Sequence, residues 1–406
     1  MINDLQDILS VNIRGMKRSA IRELLKYLNQ PGLISFSGGF PAPQSFPVEE
    51  LKGIIAEVME NEPYYALQYG TTEGDNLLRK QLADRYKKYG IDVNMDNIII
   101  TTASQQALDL IAKSFIDRGD TVIVGLPSYL GALSAFNSYG ADMIGIPMDD
   151  EGEIPEVMED EIKKAIARGK KPKFIYVIPD FQNPAGMTMS EKRRKEIIDI
   201  AHRYDILIVE DSPYRELRYE GENQRTLYEL DGTQQVVLLG TFSKIFCPGF
   251  RIGWVMGHPD VLDKVVIGKL ATDLCTPPFT QRIAARYMER GYLDPKIAEI
   301  CKMYKSKQKV MLESLEEFMP EEFTWTKPQG GLFLMATGPE WIDTDALLLD
   351  CIKEQNVAYV AGTSFFCNGK GQNTMRLNSS YESEENNREG CRRLGTFFKK
   401  VIAEKS

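Results

Sequence analysis

From residue 97 onward the chain alternates short aliphatic runs with amphipathic stretches. NIII (97–100), TVIVGLP (121–127), DMIGIP (142–147), KFIYVIP (173–179), ILIVED (206–211), QVVLLGTF (235–242) and RIGWVMG (251–257) each read as a strand. The runs are nearly continuous rather than alternating, which predicts strands covered on both faces and a mostly parallel sheet. Helix patterns lie between them, among them QQALDLIAKSFIDRG (105–119), with Gly119 as its stop, and EKRRKEIIDIAHRY (191–204). After Gly257 the pattern changes. Residues 259–318 read mainly as helix, interrupted at Pro277 and Pro278 and again at Pro295. WTKPQGGLFLMA (325–336), VAYVAG (357–362) and NTMRLNS (373–379) predict short strands, closed by a helix over 384–403. The expected architecture is α/β: a large domain over 46–290, whose mostly parallel mixed sheet is flanked by helices, and a smaller α+β domain over 291–406. The first 45 residues hold one short helical pattern, SAIRELLKYLN (19–29), too small to fold alone and expected to join the small domain.

Composition narrows the class. Of 406 residues, 43% are hydrophobic and 26% charged, which excludes intrinsic disorder, collagen-like repetition and a disulfide-held mini-protein. A formal charge of −9, from 49 basic and 58 acidic residues, repels phosphate backbones and anionic membranes, so neither nucleic acid nor membrane is the expected partner. The N-terminal stretch has charges throughout, and no run approaches the ~20 apolar residues that span a bilayer. The 6 cysteines form no CxxC pair and read as thiols in a reducing, cytoplasmic setting. Only 2 histidines occur, His202 in a charged helix and His258 in a turn, leaving little material for a Ser-His-Asp triad or a histidine metal site. No metal is expected.

The densest chemical signal is GTFSKIFCPGFRIGW, residues 240–254. A lysine just after a buried strand must be paired, neutralised or covalently used. Lys244 stands among the hydroxyls of Thr241 and Ser243, with Arg251 beyond a Pro248-Gly249 turn that can fold the chain back. A lysine able to form a Schiff base, beside an arginine and hydroxyls able to hold a phosphate, is what pyridoxal 5'-phosphate (PLP) requires. A strand-end lysine reaching solvent is the other reading of these residues alone. Cys247 has no second cysteine or basic cluster beside it and reads as a packing residue. TTASQQALDL (101–110) starts a helix after a strand, presenting unpaired N–H groups and the positive dipole end to an anion, with Ser104 and Gln105 at that start. A plain serine cap is the alternative there.

These segments resemble the fold-type I PLP-dependent aminotransferases of classes I and II, in particular the branch of 2-aminoadipate and kynurenine aminotransferases and the aminotransferase-like half of MocR regulators. YVIPDFQNPAG (176–186) and VEDSPYREL (209–217) extend the resemblance, which runs from about Ser19 to the C-terminal helix. Strand ends are where an open α/β sheet places ligand groups. The resemblance implies Asp211 for the pyridine nitrogen, Asn183 and Tyr214 for the phenolic oxygen, and Tyr129 stacked on the ring. Ser104, Gln105, Thr241, Ser243 and Arg251 are implied for the phosphate. It further implies Arg376 for the substrate α-carboxylate, whose planar fork suits that group, and Gly39 as a backbone contact nearby. Asn183 belongs to the substrate side as well. Tyr69 is implied to reach the phosphate of a neighbouring subunit, and with it a homodimer with shared sites. Arg22, on a helix expected to cover the site, is a candidate partner for a distal carboxylate.

The activity so implied is transfer of the α-amino group of an L-amino acid to a 2-oxo acid, with 2-oxoglutarate the expected acceptor, by a ping-pong mechanism. Lys244 serves as Schiff-base lysine and general base. The donor is left among 2-aminoadipate, aromatic and branched-chain amino acids. A PLP-dependent lyase or decarboxylase on the same scaffold is the nearest rival, since cofactor residues do not choose the bond broken. A PLP-sensing regulator is the second, disfavoured by the lack of a basic recognition helix.

Overall fold

The aliphatic runs condense into one sheet. In the computed structural model, which describes residues 6–14, 16, 30–232 and 235–405, the chain enters through β1 (Ile34–Ser35) and then forms β2 (Ile98–Thr101), β3 (Thr121–Leu126), β4 (Asp142–Asp149), β5 (Gly152–Glu153), β6 (Phe174–Val177), β7 (Leu207–Asp211), β8 (Val236–Thr241) and β9 (Gly253–Met256). Eight of these line up as β2-β9-β8-β7-β6-β3-β4-β5. From β8 to β4 every pairing is parallel, β9 runs antiparallel to both neighbours, and β5 turns back on β4. β6 and β8 are buried at every position because helices cover both faces. The run 142–147 departs from that expectation. β4 is half exposed along its length, with only the two-residue β5 beyond it, because an apolar run does not tell a central strand from one near the edge.

The helices follow their periodicity with two adjustments. Glu191–Tyr204 has the expected bounds and is capped by Ser190, whose hydroxyl accepts from the Arg193 amide at 3.3 Å. The helix expected to stop at Gly119 runs instead over Ala103–Phe115, and Gly119 sits with φ 86° in the turn that leads into β3. Pro295 does not interrupt its helix. It lies in the first turn of Leu293–Phe318, where the missing N–H has no partner to lose, and the break falls just before, after Pro278–Glu289.

The C-terminal part contributes β10 (Thr324–Trp325), β11 (Phe333–Thr337), β12 (Val357–Ala358), β13 (Val360–Ala361) and β14 (Thr374–Asn378), followed by the helix Glu384–Lys405. β10-β11-β14-β13 make an antiparallel sheet, and β12 pairs with β1 in parallel. The single run 357–362 is therefore two strands with different partners. Among the described residues two large apolar cores result, with a small third cluster of Ile352, Ala358, Val360 and Phe365. The long helix Leu293–Phe318 joins the two large cores, giving Ile297, Ile300 and Tyr304 to the larger and Met311 and Leu315 to the smaller, where Ile34 and Phe36 meet Leu377 and Phe398. The helix expected over 19–29, Arg22 included, lies outside the described residues. No helix among the described residues is long and apolar enough to cross a membrane.

Candidate active site

Parallel strands end on the same edge of a sheet, so β6, β7 and β8 deliver their C-terminal loops to one place. β7 ends at Asp211, β8 at Thr241 followed by Ser243 and Lys244, and the loop after β6 carries Asn183. The start of the helix after β2 reaches the same edge, and β9 packs directly behind it. A Cβ on Gly253 would lie 2.6 Å from the Ser104 nitrogen, so only glycine lets β9 approach that turn. Across the gap stand Arg376 on β14 and the backbone of residues 37–41. Together they enclose a cavity of about 270 Å³.

Its polar groups are ordered and incompletely satisfied. Asp211 is buried and accepts a hydrogen bond from the Tyr176 hydroxyl on Oδ2 at 2.8 Å, while its Oδ1 has no partner. Burial pushes its carboxyl up to about 7, opposed by the Tyr176 hydrogen bond and the Lys244 charge. Lys244 Nζ donates to the Gly39 carbonyl at 2.8 Å. Burial and the neighbouring Arg376 and Arg251 bring its amine down to about 8. Arg376 donates to Asn183 Oδ1 at 3.0 Å and to the Ser37 carbonyl at 2.7 Å, with its Nε unpartnered and its guanidinium 4.1 Å from the centre of the Phe333 ring. Asn183 in turn donates to the Tyr214 hydroxyl at 3.2 Å. The Thr241 hydroxyl donates to Ser243 Oγ at 2.9 Å, and Arg251 follows a short turn in the left-handed conformation, φ 54°. Tyr129 donates to Gln105 Oε1 at 3.2 Å. The walls thus offer three cations, an orphaned carboxylate oxygen and an open helix start, a set able to receive a phosphate, a carboxylate and a protonated ring nitrogen at once.

Of the expected site residues, Gly39, Ser104, Gln105, Tyr129, Asn183, Asp211, Tyr214, Thr241, Ser243, Lys244, Arg251 and Arg376 all line this cavity. Tyr69 does not. It is 79% exposed, beside the exposed Tyr64 and Leu67. The sequence reading missed Tyr176, which orients Asp211, and Phe333, which stacks on Arg376 and packs edge-on to Tyr214 at 5.8 Å. Tyr176 lies inside a buried-strand pattern, and nothing in that pattern marks its hydroxyl as facing a carboxylate on the neighbouring strand. Phe333 follows a Gly-Gly pair, a signal of close backbone approach. The half-exposed His202 pairs with the buried Asp231 side chain, and His258 caps the helix Pro259–Leu270 by accepting from the Asp260 amide at 3.3 Å. Cys247 is buried and its thiol is pushed up to about 12.

The fold and this cleft are those of an enzyme that handles a phosphate-bearing cofactor and an amino acid. The model of the family "Aminotransferase class I and II" matches residues 44–394, and the chain belongs to that family; it is a PLP-dependent aminotransferase. It is 48% identical over 400 residues to an aromatic-amino-acid aminotransferase of Thermococcus litoralis, covering 98% of this chain and 96% of that protein. It is 37% identical over 391 residues to a 2-aminoadipate transaminase of Thermus thermophilus, with 96% of each covered. Among solved structures, a Pyrococcus horikoshii kynurenine aminotransferase in complex with PMP, KYN and KYA superposes with a TM-score of 0.94 at 47% identity, covering 98% of this chain and 99% of that one.

Proposed function

We propose that the cavity holds PLP with its ring nitrogen on Asp211 and transfers the α-amino group of an L-amino acid, preferentially an aromatic one, to a 2-oxo acid. The observation that carries this is the unpartnered Oδ1 of Asp211, buried and aimed into the cleft that Lys244 enters from the neighbouring strand. A buried carboxylate with one free lone-pair set is stabilised by a donor that brings its own positive charge, as a protonated pyridine nitrogen does. The phosphate is assigned to the helix start at Ser104 and Gln105 with Thr241, Ser243 and Arg251. Asn183 and Tyr214 take the phenolic oxygen and Tyr129 the ring face.

Bound there, PLP supplies an aldehyde carbon that links to amines and a ring that takes up the electron pair released at the substrate α-carbon. The protein does the rest. Arg376 grips the α-carboxylate through its outer edge and so sets which bond at the α-carbon stands over the cleft. Lys244, as a neutral amine, takes the α-proton and returns it to the cofactor carbon. Tyr176 keeps Asp211 oriented. Phe40, Pro41, Ile178 and Phe333 supply apolar wall and exclude water near the reacting carbon.

Two features support an aromatic donor: that wall, and the similarity to aromatic-amino-acid and kynurenine aminotransferases. The acceptor in this reading is 2-oxoglutarate. A donor panel at fixed 2-oxoglutarate tests it. Phenylalanine, tyrosine and kynurenine should exceed aspartate in kcat/KM by ~10-fold or more; an acidic donor in the lead overturns the aromatic preference. Ammonia release without any acceptor overturns transamination itself.

The reading includes a homodimer. Tyr64, Leu67 and Tyr69 are exposed, as are Leu270 and Leu274, and Gly70 lies against Pro278 just after the second segment; the reading assigns both segments to one apolar interface. Tyr69 on this face would contact the partner's phosphate, and the unpaired cysteines accord with a reducing, cytoplasmic setting. Sedimentation of the wild type should give twice the chain mass, and Leu270→Glu should shift it to monomer with weakened PLP retention. A wild-type monomer that retains PLP overturns the shared site.

A further inference from the structure

The helix Ala103–Phe115 begins at Thr102, whose hydroxyl makes no hydrogen bond to the amides of its own first turn. A threonine with extended backbone in this place ordinarily caps, as Thr226 does (ψ 157°) by accepting from the Glu229 amide at 3.0 Å; Thr102 has ψ 73° and is followed by the left-handed Ala103, φ 60°. Thr102 instead donates its hydroxyl to Asp273 Oδ2 at 3.0 Å. Two further donors hold Asp273: Gln106 Nε2 on Oδ2 at 2.6 Å and Lys269 Nζ on Oδ1 at 2.7 Å. The Lys269 side chain is 0% exposed, so its ammonium depends on this pairing. Gln106 Oε1 accepts from the Thr102 amide at 2.7 Å and closes the ring of contacts. Thr276 Oγ1 stands 3.3 Å from the Thr102 hydroxyl on the same side. None of these residues lines the cavity, whereas Ala103, Ser104 and Gln105 do.

We propose that Asp273, locked by Lys269, is a positioning residue for the phosphate: it draws the Thr102 hydroxyl away from the helix start and so keeps the first-turn amides free for phosphate oxygens. The inference rests on the reading above that the PLP phosphate sits at this helix start. A capping hydroxyl and a phosphate oxygen compete for the same N–H groups, because the first turn has no intrahelical acceptors. With Thr102 diverted, the amides and the helix dipole face the cleft without a protein acceptor in front of them. Gly253 backs the turn closely from behind, and the Asp273 ring holds the Thr102 hydroxyl directly and the Thr102 amide through Gln106.

The experiment compares two ligands that differ only in the phosphate. Full-length protein stripped of cofactor is titrated with PLP and with pyridoxal, and both affinities are read from absorbance and intrinsic fluorescence. The wild type should bind PLP far more tightly; equal affinities overturn the phosphate placement itself. Lys269→Met/Asp273→Ala removes the ion pair as a unit and leaves no lone buried charge. In that variant the PLP-to-pyridoxal affinity ratio should fall about tenfold, the weight of one helix cap, with pyridoxal affinity unchanged. Adding Thr102→Val, which keeps the shape and removes the hydroxyl, should restore the ratio. An unchanged ratio in the double variant, a ratio not regained in the triple, or a parallel loss of both affinities overturns the positioning role while the wild-type difference leaves the phosphate placement standing.

Discussion

Lys244→Ala is expected to reduce turnover by ~10³-fold or more while the fold persists. The amine that links to the cofactor and the base that moves the α-proton are one atom in the proposed reaction, so both functions vanish together. The cleft explains why a lysine can be a base near neutral pH. Burial and the adjacent Arg376 and Arg251 bring the amine down to about 8. Only the neutral amine accepts a proton, and its share passes one half at that pH and levels about one pH unit above it. Donor-alone conversion in the wild type should therefore climb from about pH 6 to about pH 9 and flatten beyond. Stability should change little, since Lys244 makes one side-chain hydrogen bond, to the Gly39 carbonyl. Retention of the visible absorbance of a lysine-linked cofactor in Lys244→Ala, or turnover near wild type, refutes the assignment.

Asp211→Asn should lower kcat by ~10² to 10³-fold with a smaller change in KM, because the carboxylate acts on charge that develops as the α-proton leaves. An asparagine in the same place accepts a hydrogen bond but does not hold a ring nitrogen protonated at neutral pH. The same residue predicts a signature independent of turnover. In the ligand-free protein, burial raises the Asp211 carboxyl to about 7 from an ordinary value near 3.8. Between those values the folded state binds more protons than the unfolded one, so stability from this group falls as pH rises. A donor on Oδ1 favours the ionised form and removes that loss. The gap in Tm between cofactor-bound and cofactor-free protein should thus widen from pH 5 to pH 8 in the wild type and stay flat in Asp211→Asn. Identical gaps in the two proteins would mean that the cofactor does not protonate against Asp211.

Much of this was written locally. Strand ends at Asp211 and Thr241, the helix Glu191–Tyr204 and the helix start at Ser104 follow from apolar runs, caps and the residue types after them. Lys244 was visible because an ammonium after a buried strand has few uses. Partners across the sheet were not visible. Tyr176 reads as one more aromatic in a buried strand, and nothing in KFIYVIP says that its hydroxyl meets Asp211 one strand away. The sequence offers only a serine cap at this helix start, and nothing local shows that the Thr102 hydroxyl goes to Asp273, 171 residues later. The split of 357–362 between two partner strands and the half-exposed β4 are register and edge effects of the same kind.

The sequence by itself determined the class of fold, the order of its elements and the residue types of the cleft, because periodicity, capping and the cost of an unpaired charge act within a few residues. The tertiary structure alone decided which of those residues meet. Arg376 reaches Asn183 and Ser37 from 193 and 339 residues away, and the amine of Lys244 is lowered by burial and by Arg376, which comes near it only once the sheet that carries β14 closes the cavity, with Arg251 of its own loop adding to them. Burial, orphaned lone pairs and the sum of neighbouring charges are properties of the packed chain, and they turn a lysine and an aspartate of ordinary sequence context into a base and an acid partner poised near neutral pH.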